Sequence, residues 1–312
     1  MILHTQLRRV LYTLTASFAF FLFTIITTHA QVNVCATTSL VADLVNRIGG
    51  KHVHVHSLMG PGVDPHLYKA TASDVTELNR CQIIFYNGLH LEGRMTDIFE
   101  NLAKKGKTVI AVSDSIPKEN LIKIPGAQDQ FDPHIWFDPL LWQKCADVVR
   151  DSFSKADPSH EAAYTLNAHQ VQTEIQDLFK WGKSLAQSLS PSKRILVTSH
   201  DAYNYFGKAF DFTVIGVQGV STTSEAGLAD IVSIIDFIKK NDIHAIFVES
   251  SVPHATIERI SHDSGSKIGG ELFSDALGAQ NDIRQVGNQK FNVGTYSGMF
   301  KYNMATIIES LK

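Results

Sequence analysis

Cysteine is scarce in this 312-residue chain, and the few present are badly spaced for chemistry. Cys35, Cys81 and Cys145 match no zinc-site spacing, and an odd number cannot all pair within one chain. Cys35 and Cys81 fall in or beside apolar strand patterns, where a thiol behaves as a small core residue, so all three read as structural. An excess of either charge is lacking too. The formal charge is −3, and setting aside Arg8 and Arg9 leaves 26 basic against 31 acidic residues. That balance gives no footing for nucleic acid, while a mildly acidic surface suits cations. Beyond residue 30 no run is long or apolar enough to span a bilayer. There is no low-complexity tract and no His-Glu-x-x-His, so the best-known sequence sign of a zinc hydrolase is missing.

The first thirty residues read as an export signal. Arg8-Arg9 supply the positive start, Val10 to Ile26 the apolar run, and Thr28-His29-Ala30 a small-x-small cleavage site, so the mature chain is expected to begin at Gln31. The alternative is an uncleaved membrane anchor. Val32-Asn33-Val34 precedes Cys35 where a lipoprotein would carry its own pattern, so the expected location is the periplasm.

What the chain does have is one tripeptide twice over. Asp64-Pro65-His66 and Asp132-Pro133-His134 each hang a histidine from a stiff loop, because proline fixes its own φ and restrains the residue before it. Two immobilised imidazoles suit a metal, whose commonest protein ligand is histidine. His52, His54 and His56 alternate along a predicted strand and form a weaker candidate, since solvated polar alternation explains them as well.

Strands and helices alternate on both sides of a central helical stretch. Val32–Thr37, His52–His56, Ile83–Tyr86 and Thr108–Val112 are predicted strands, with helices over Leu40–Ile48, Thr71–Leu78 and Met95–Lys105. From Asp157-Pro158 to Leu189, apolar residues recur in steps of four and three, which predicts one helix of about 30 residues, roughly 45 Å long. The second half repeats the alternation, with strands at Ile195–Thr198, Val214–Val217, Ala245–Val248 and Ile268–Leu272, and a last helix over Met299–Leu311. The expected fold is α/β: two parallel-sheet lobes joined by a single long rigid helix, with a site in the cleft between them. The expected division is a signal over 1–30, lobes over 31–156 and 191–312, and a linking helix over 157–190.

His66, His134, His200 and Asp275 fall on stiff loops or just after predicted strands. Three imidazoles and a carboxylate suit zinc, and the carboxylate admits the harder manganese. Taken singly, each also reads as a hydrogen-bonded loop residue. Glu249, at a strand end, could orient a ligand histidine or be an ordinary carboxylate. His90 and His254 read as surface or helix-edge residues.

Longer motifs surround these positions. Gly60 to Tyr68, Asn87 to Glu92, Phe131 to Asp138, Val197 to Ala202, Gln218 to Thr222 and Gly269 to Asp275 together resemble the TroA-type proteins, the periplasmic solute-binding components of zinc/manganese ABC importers. The resemblance covers nearly all of the chain after residue 30. It implies metal ligands at His66, His134, His200 and Asp275, two α/β lobes on one backbone helix, and delivery of zinc or manganese, with iron admissible, to a membrane permease. A monomer is expected, with no nucleic-acid partner and no enzyme activity. Pro117 to Phe131 contains no histidine and no cysteine follows Cys145, so the chain departs from zinc-specialised relatives, which often carry a histidine-rich loop and a C-terminal disulfide. His200 stands where many manganese-type lipoproteins use glutamate. Two other functions compete: a secreted zinc-dependent hydrolase with water in an open coordination position, and an adhesin using the metal structurally. Because the helix is a strut, release is expected to involve a small lobe tilt and movement of the loops Gly60–His66 and Phe273–Asp275, not a wide opening.

Overall fold

The computed structural model describes residues 31–127 and 129–312; the predicted signal lies outside them. Strands β1 (Val32–Ala36), β2 (Val53–Ser57), β3 (Ile83–Tyr86) and β4 (Thr108–Ala111) form a wholly parallel sheet in the order β2-β1-β3-β4. Period-two alternation sorts its side chains between two cores. Val34 and Phe85 face helix α1 (Ser39–Gly49), while Cys35 and Ile84 face α2 (Ala72–Arg80) and α3 (Thr96–Lys104). Helix α1 starts where Thr38 accepts from the Val41 N–H, and α2 where Thr71 and Asp74 form a reciprocal capping box.

The second lobe pairs β5 (Ile195–His200) with β6 (Thr213–Gln218) and β7 (Ala245–Glu249) with β8 (Lys267–Leu272), all parallel, and β5 lies beside β7. On one side Val197, Val217 and Ile246 pack on α7 (Leu228–Lys240) and α8 (Ala255–Ser264). On the other, Leu196, Phe247 and Leu272 join α6 (Asn204–Phe210) and α9 (Tyr296–Leu311). Strands β9 (Ile283–Val286) and β10 (Gln289–Asn292) make an antiparallel hairpin against α9.

Helix α4 (Pro139–Ala156) packs along α5 (Glu161–Ala186), the 26-residue helix that joins the lobes. The first half of α5 belongs to the first lobe: Tyr164 meets Phe153 of α4, and Asn167 donates to the Ile48 carbonyl. Its second half belongs to the second lobe: Lys183 donates to the Ala209 carbonyl, and Phe179 meets Phe210. The predicted stripe Tyr164, Ala168, Val171, Ile175, Leu178, Gly182, Leu185 and Leu189 is buried except at half-buried Leu185, and Leu189 lies beyond the helix end. Gly182 is there because a Cβ would sit 2.9 Å from the Phe210 ring. One apolar core consequently runs from Val32 through α5 to Ile308. No helix among the described residues is long and apolar enough to cross a membrane.

Four features differ from the sequence reading. The linking helix is about 39 Å long, not 45, because Pro158–His160 forms a separate 3-10 turn and the helix stops at Ala186. Helix α4 has no counterpart among the predicted elements, although Asp138 capping Leu140 with Pro139 at the first position is an ordinary start signal. The polar, exposed hairpin β9–β10 has no periodic apolar face to betray it. Cys35 and Cys81 are not free thiols but a disulfide, their Cα atoms 5.7 Å apart. Strand β1 and the end of α2 bring them together across 46 residues, and only Cys145 remains as a buried thiol.

Candidate metal centre

The two Asp-Pro-His tripeptides fold alike. The His66 backbone N–H donates to Asp64 Oδ1 at 2.8 Å, and the His134 N–H donates to Asp132 Oδ1 at 2.9 Å. A short acidic side chain closing on the backbone two residues ahead is an Asx turn, and proline between them holds it. His134 then enters a 3-10 turn, Ile135–Phe137, whose side chains are all buried.

From the second lobe come His200, the last residue of β5, and Asp275, three residues beyond β8. The His200 N–H donates to Glu249 Oε1 at 2.9 Å. Asp275 sits on a firmly held segment. Asn303 accepts from the Phe273 N–H at 3.0 Å and donates to the Phe273 carbonyl at 2.7 Å, Tyr203 donates to that carbonyl, and the Trp136 indole N–H donates to the Ser274 carbonyl.

All four predicted residues converge, fully buried or nearly so, with one ligand atom from each within 4.8 Å of the others. His134 Nε2 lies 3.3 Å from Nε2 of both His66 and His200. Asp275 Oδ2 is 3.3 Å from His200 Nε2 and 4.0 Å from His66 Nε2, and Oδ1 is 3.4 Å from His134 Nε2. Four atoms bound tetrahedrally at 2.0–2.1 Å from one centre stand about 3.3–3.4 Å apart, so the donor set fits a divalent ion of zinc's size. The carboxylate supplies the strongest sign. Asp275 is wholly buried, yet neither oxygen has a hydrogen-bond partner, because its contacts to the imidazoles miss hydrogen-bond geometry. The imidazole charges beside it compensate its own only off hydrogen-bond geometry, so its lone pairs stay open to a bound cation.

Behind the imidazoles stand two more buried carboxylates. Asp132 Oδ1 lies 2.7 Å from His134 Nδ1, and Glu249 Oε2 lies 2.6 Å from His200 Nδ1, the latter an off-line ionic contact and not an aligned hydrogen bond. A carboxylate at Nδ1 favours the proton there and leaves Nε2 facing the other donors, the tautomer a metal ligand needs. Burial opposes protonation of His134, but Asp132 and Asp275 outweigh it and raise its pKa to about 9. His200 is likewise raised well above the ordinary range: burial again opposes, and Glu249 and Asp275 prevail. His66 has no such partner on its imidazole, and burial pushes it down to about 3. Asp275 is penalised by burial too, yet the charges of His200 and His134 hold it well below the usual carboxylate range.

Glu249 is therefore the orienting carboxylate that the sequence left undecided. Asp132 lies within one of the motifs, but nothing in the sequence signals its contact with the imidazole, which depends on the loop's closure. Asn87 and Glu92 explain another motif. Buried Glu92 accepts from Thr37 and from the Asn87 N–H, both at 2.7 Å, and Asn87 donates to the Pro133 carbonyl at 3.0 Å, bracing the His134 loop. The strand histidines take no part: His54 and His56 are exposed on β2, and His52 stacks on His160 at 3.9 Å. His90 is exposed, and His254 is half-buried with Nε2 3.1 Å from the Glu249 carbonyl oxygen. The expectation that Phe273–Asp275 moves does not fit its burial and bonding; Gly60–Gly62, by contrast, is partly exposed.

Known proteins share this architecture. The manganese-binding lipoprotein MntA of Bacillus subtilis is 43% identical over 287 residues, covering 90% of each chain. The zinc-binding protein TroA of Treponema pallidum is 41% identical over 283 residues, covering 89% of this chain and 88% of that one. The solved structure of the periplasmic zinc-binding TroA superposes with a TM-score of 0.84 at 40% identity, covering 90% of this chain and 99% of that one. The family model described as zinc-uptake complex component A, periplasmic, matches residues 34–310, and this chain belongs to that ZnuA family.

Proposed function

We propose that the chain is the ion-capturing component of a metal importer. It binds one zinc or manganese ion through His66, His134, His200 and Asp275 in the cleft between its lobes and hands it to an ABC-type membrane permease. The observation that carries this reading is the buried Asp275 carboxylate, without a hydrogen-bond partner on either oxygen and ringed by three imidazoles. Four protein donors close a tetrahedral sphere and leave no position for the activated water of a hydrolase, which favours carriage over catalysis. The adhesin alternative gains no support from a centre that sits between lobes already joined by a continuous core.

The rest of the chain serves that role. Residues 1–30 act as an export signal that delivers a periplasmic monomer, 31–156 and 191–312 form the two lobes, and 157–190 the link. Relatives are named for zinc, for manganese and, at 31% identity in Streptococcus pyogenes, for iron. By intrinsic affinity zinc should exceed manganese at such a donor set, so the ion carried depends on supply. Calorimetric titration with zinc and manganese tests the proposal. One ion per chain, lost in Asp275→Ala, is the expected result; no binding, or binding that survives that change, would sink it.

A further inference from the structure

Asp64 does more than close its own turn. One of its oxygens accepts from the His66 N–H, and the other, Oδ2, accepts from the Thr222 hydroxyl at 2.6 Å. Thr222 belongs to the loop after β6, in the opposite lobe, where Ser221 and Thr223 meet through their hydroxyls at 3.0 Å. The same stretch of the first lobe also approaches the second at Gly62: a Cβ there, where φ is +69°, would lie 3.7 Å from the Ser250 carbonyl oxygen. Thus a single half-buried carboxylate ties the backbone of one candidate ligand to the far side of the cleft. His134 is bridged too, since Asp132 holds its N–H with one oxygen and accepts from Asn204 of the second lobe with the other. That carboxylate, however, is buried and also meets the His134 imidazole, whereas Asp64 is half-buried and reaches His66 through the backbone N–H. Glu249 braces His200 within its own lobe.

We infer that the Asp64–Thr222 hydrogen bond is a latch that sets how fast the bound ion leaves, with Asp64 and Thr222 acting as positioning residues through His66. A contact made only while Gly60–His66 lies against the Ser221–Thr223 turn stabilises that arrangement and no other. Opening breaks it, so its loss speeds release more than it alters capture. The inference rests on the four-residue site proposed above.

Zinc titration of the full mature chain comes first, then stopped-flow release of zinc to a chromophoric chelator. Thr222→Val keeps the side-chain shape and removes the hydroxyl; Thr222→Ser restores it. The expected result is one zinc per chain in all three proteins, with release about tenfold faster in Thr222→Val, an unchanged association rate, and wild-type release in Thr222→Ser. In an Asp64→Ala background, Thr222→Val should add nothing, since the partner is already gone. Stoichiometric binding with wild-type release in Thr222→Val overturns the latch alone, as does an effect that persists undiminished without Asp64. Failure of the wild-type chain to bind zinc overturns the capture reading, and the latch with it.

Discussion

The two Asp-Pro-His loops begin from the same tripeptide and end with different duties. Both aspartates accept from the histidine N–H two residues ahead, at 2.8 and 2.9 Å. Asp132 stays in the buried centre: it contacts the His134 imidazole, accepts from Asn204 of the second lobe at 3.0 Å, and its carbonyl accepts from Tyr205 of the same lobe. Asp64 turns to Thr222 and does not touch the His66 imidazole, whose Nε2 lies 4.0 Å from Asp275. The electrostatic outcomes diverge accordingly, with His134 raised to about 9 and His66 pushed down to about 3. Local sequence thus sets the turn, whereas tertiary surroundings decide whether the histidine is a fixed anchor or one that arrives with the loop. On the reading proposed above, His134 is the anchor, and His66 is the donor expected to move.

The sharpest way to break this contrast is to remove the anchor. His134→Ala should cost more than the 10–100-fold in affinity that loss of an outer partner costs, and should also lower the stability of the metal-free chain. The second effect arises because His134 is wholly buried and its removal strips a partner from buried Asp132. His66→Ala should also abolish tight binding yet leave metal-free stability nearly unchanged; calorimetry and thermal melts separate the two. Next, Asp132→Asn should weaken zinc binding by about 10–100-fold, since it unsettles the tautomer that faces the ion. Asp64→Asn should cost less affinity and act mainly on release; an equal loss in both would erase the distinction between the loops.

A smaller effect is expected from pH. In the metal-free chain His134 titrates near 9, so at pH 7 it carries a proton that zinc must expel. Affinity should therefore keep rising with pH through neutrality toward about 9, beyond the range that an ordinary imidazole near 6.5 would give. For stability the sign is the reverse. A raised histidine stabilises the metal-free fold fully below about 6.5, and that contribution is lost as pH climbs through about 9. Buffers of differing ionisation enthalpy report the protons released at pH 7; none released would contradict the assignment. Smallest of all, His54→Ala with His56→Ala should leave affinity unchanged, because both are exposed on β2.

Much of this was legible because the informative signals are local. Proline beside aspartate announces the stiff loops of His66 and His134, and the stripe from Tyr164 to Gly182 announces the linking helix. His200 and Asp275 were legible as residues beyond strand patterns, and the family resemblance joined them into one set. What escaped depends on contacts distant in sequence. Glu249 reaches His200 across 49 residues, and Thr222 reaches Asp64 across 158. The Cys35–Cys81 bond could not be read from an odd count of cysteines, since only the packing of α2 on β1 brings the pair together. By the chain-entropy estimate for a loop of that length, the bond contributes about 4 kcal/mol to stability.

Anomalous scattering at the zinc edge, from crystals of the mature chain grown metal-free and then loaded, tests the central claim most directly. The account predicts one peak, about 2.0–2.2 Å from Nε2 of His66, His134 and His200 and from an Asp275 oxygen, with His134, His200 and Asp275 unmoved and the Gly60–His66 loop displaced between the two states. A peak elsewhere, no peak at all, or an Asp132–His134 pair that moves as far as the His66 loop would contradict it.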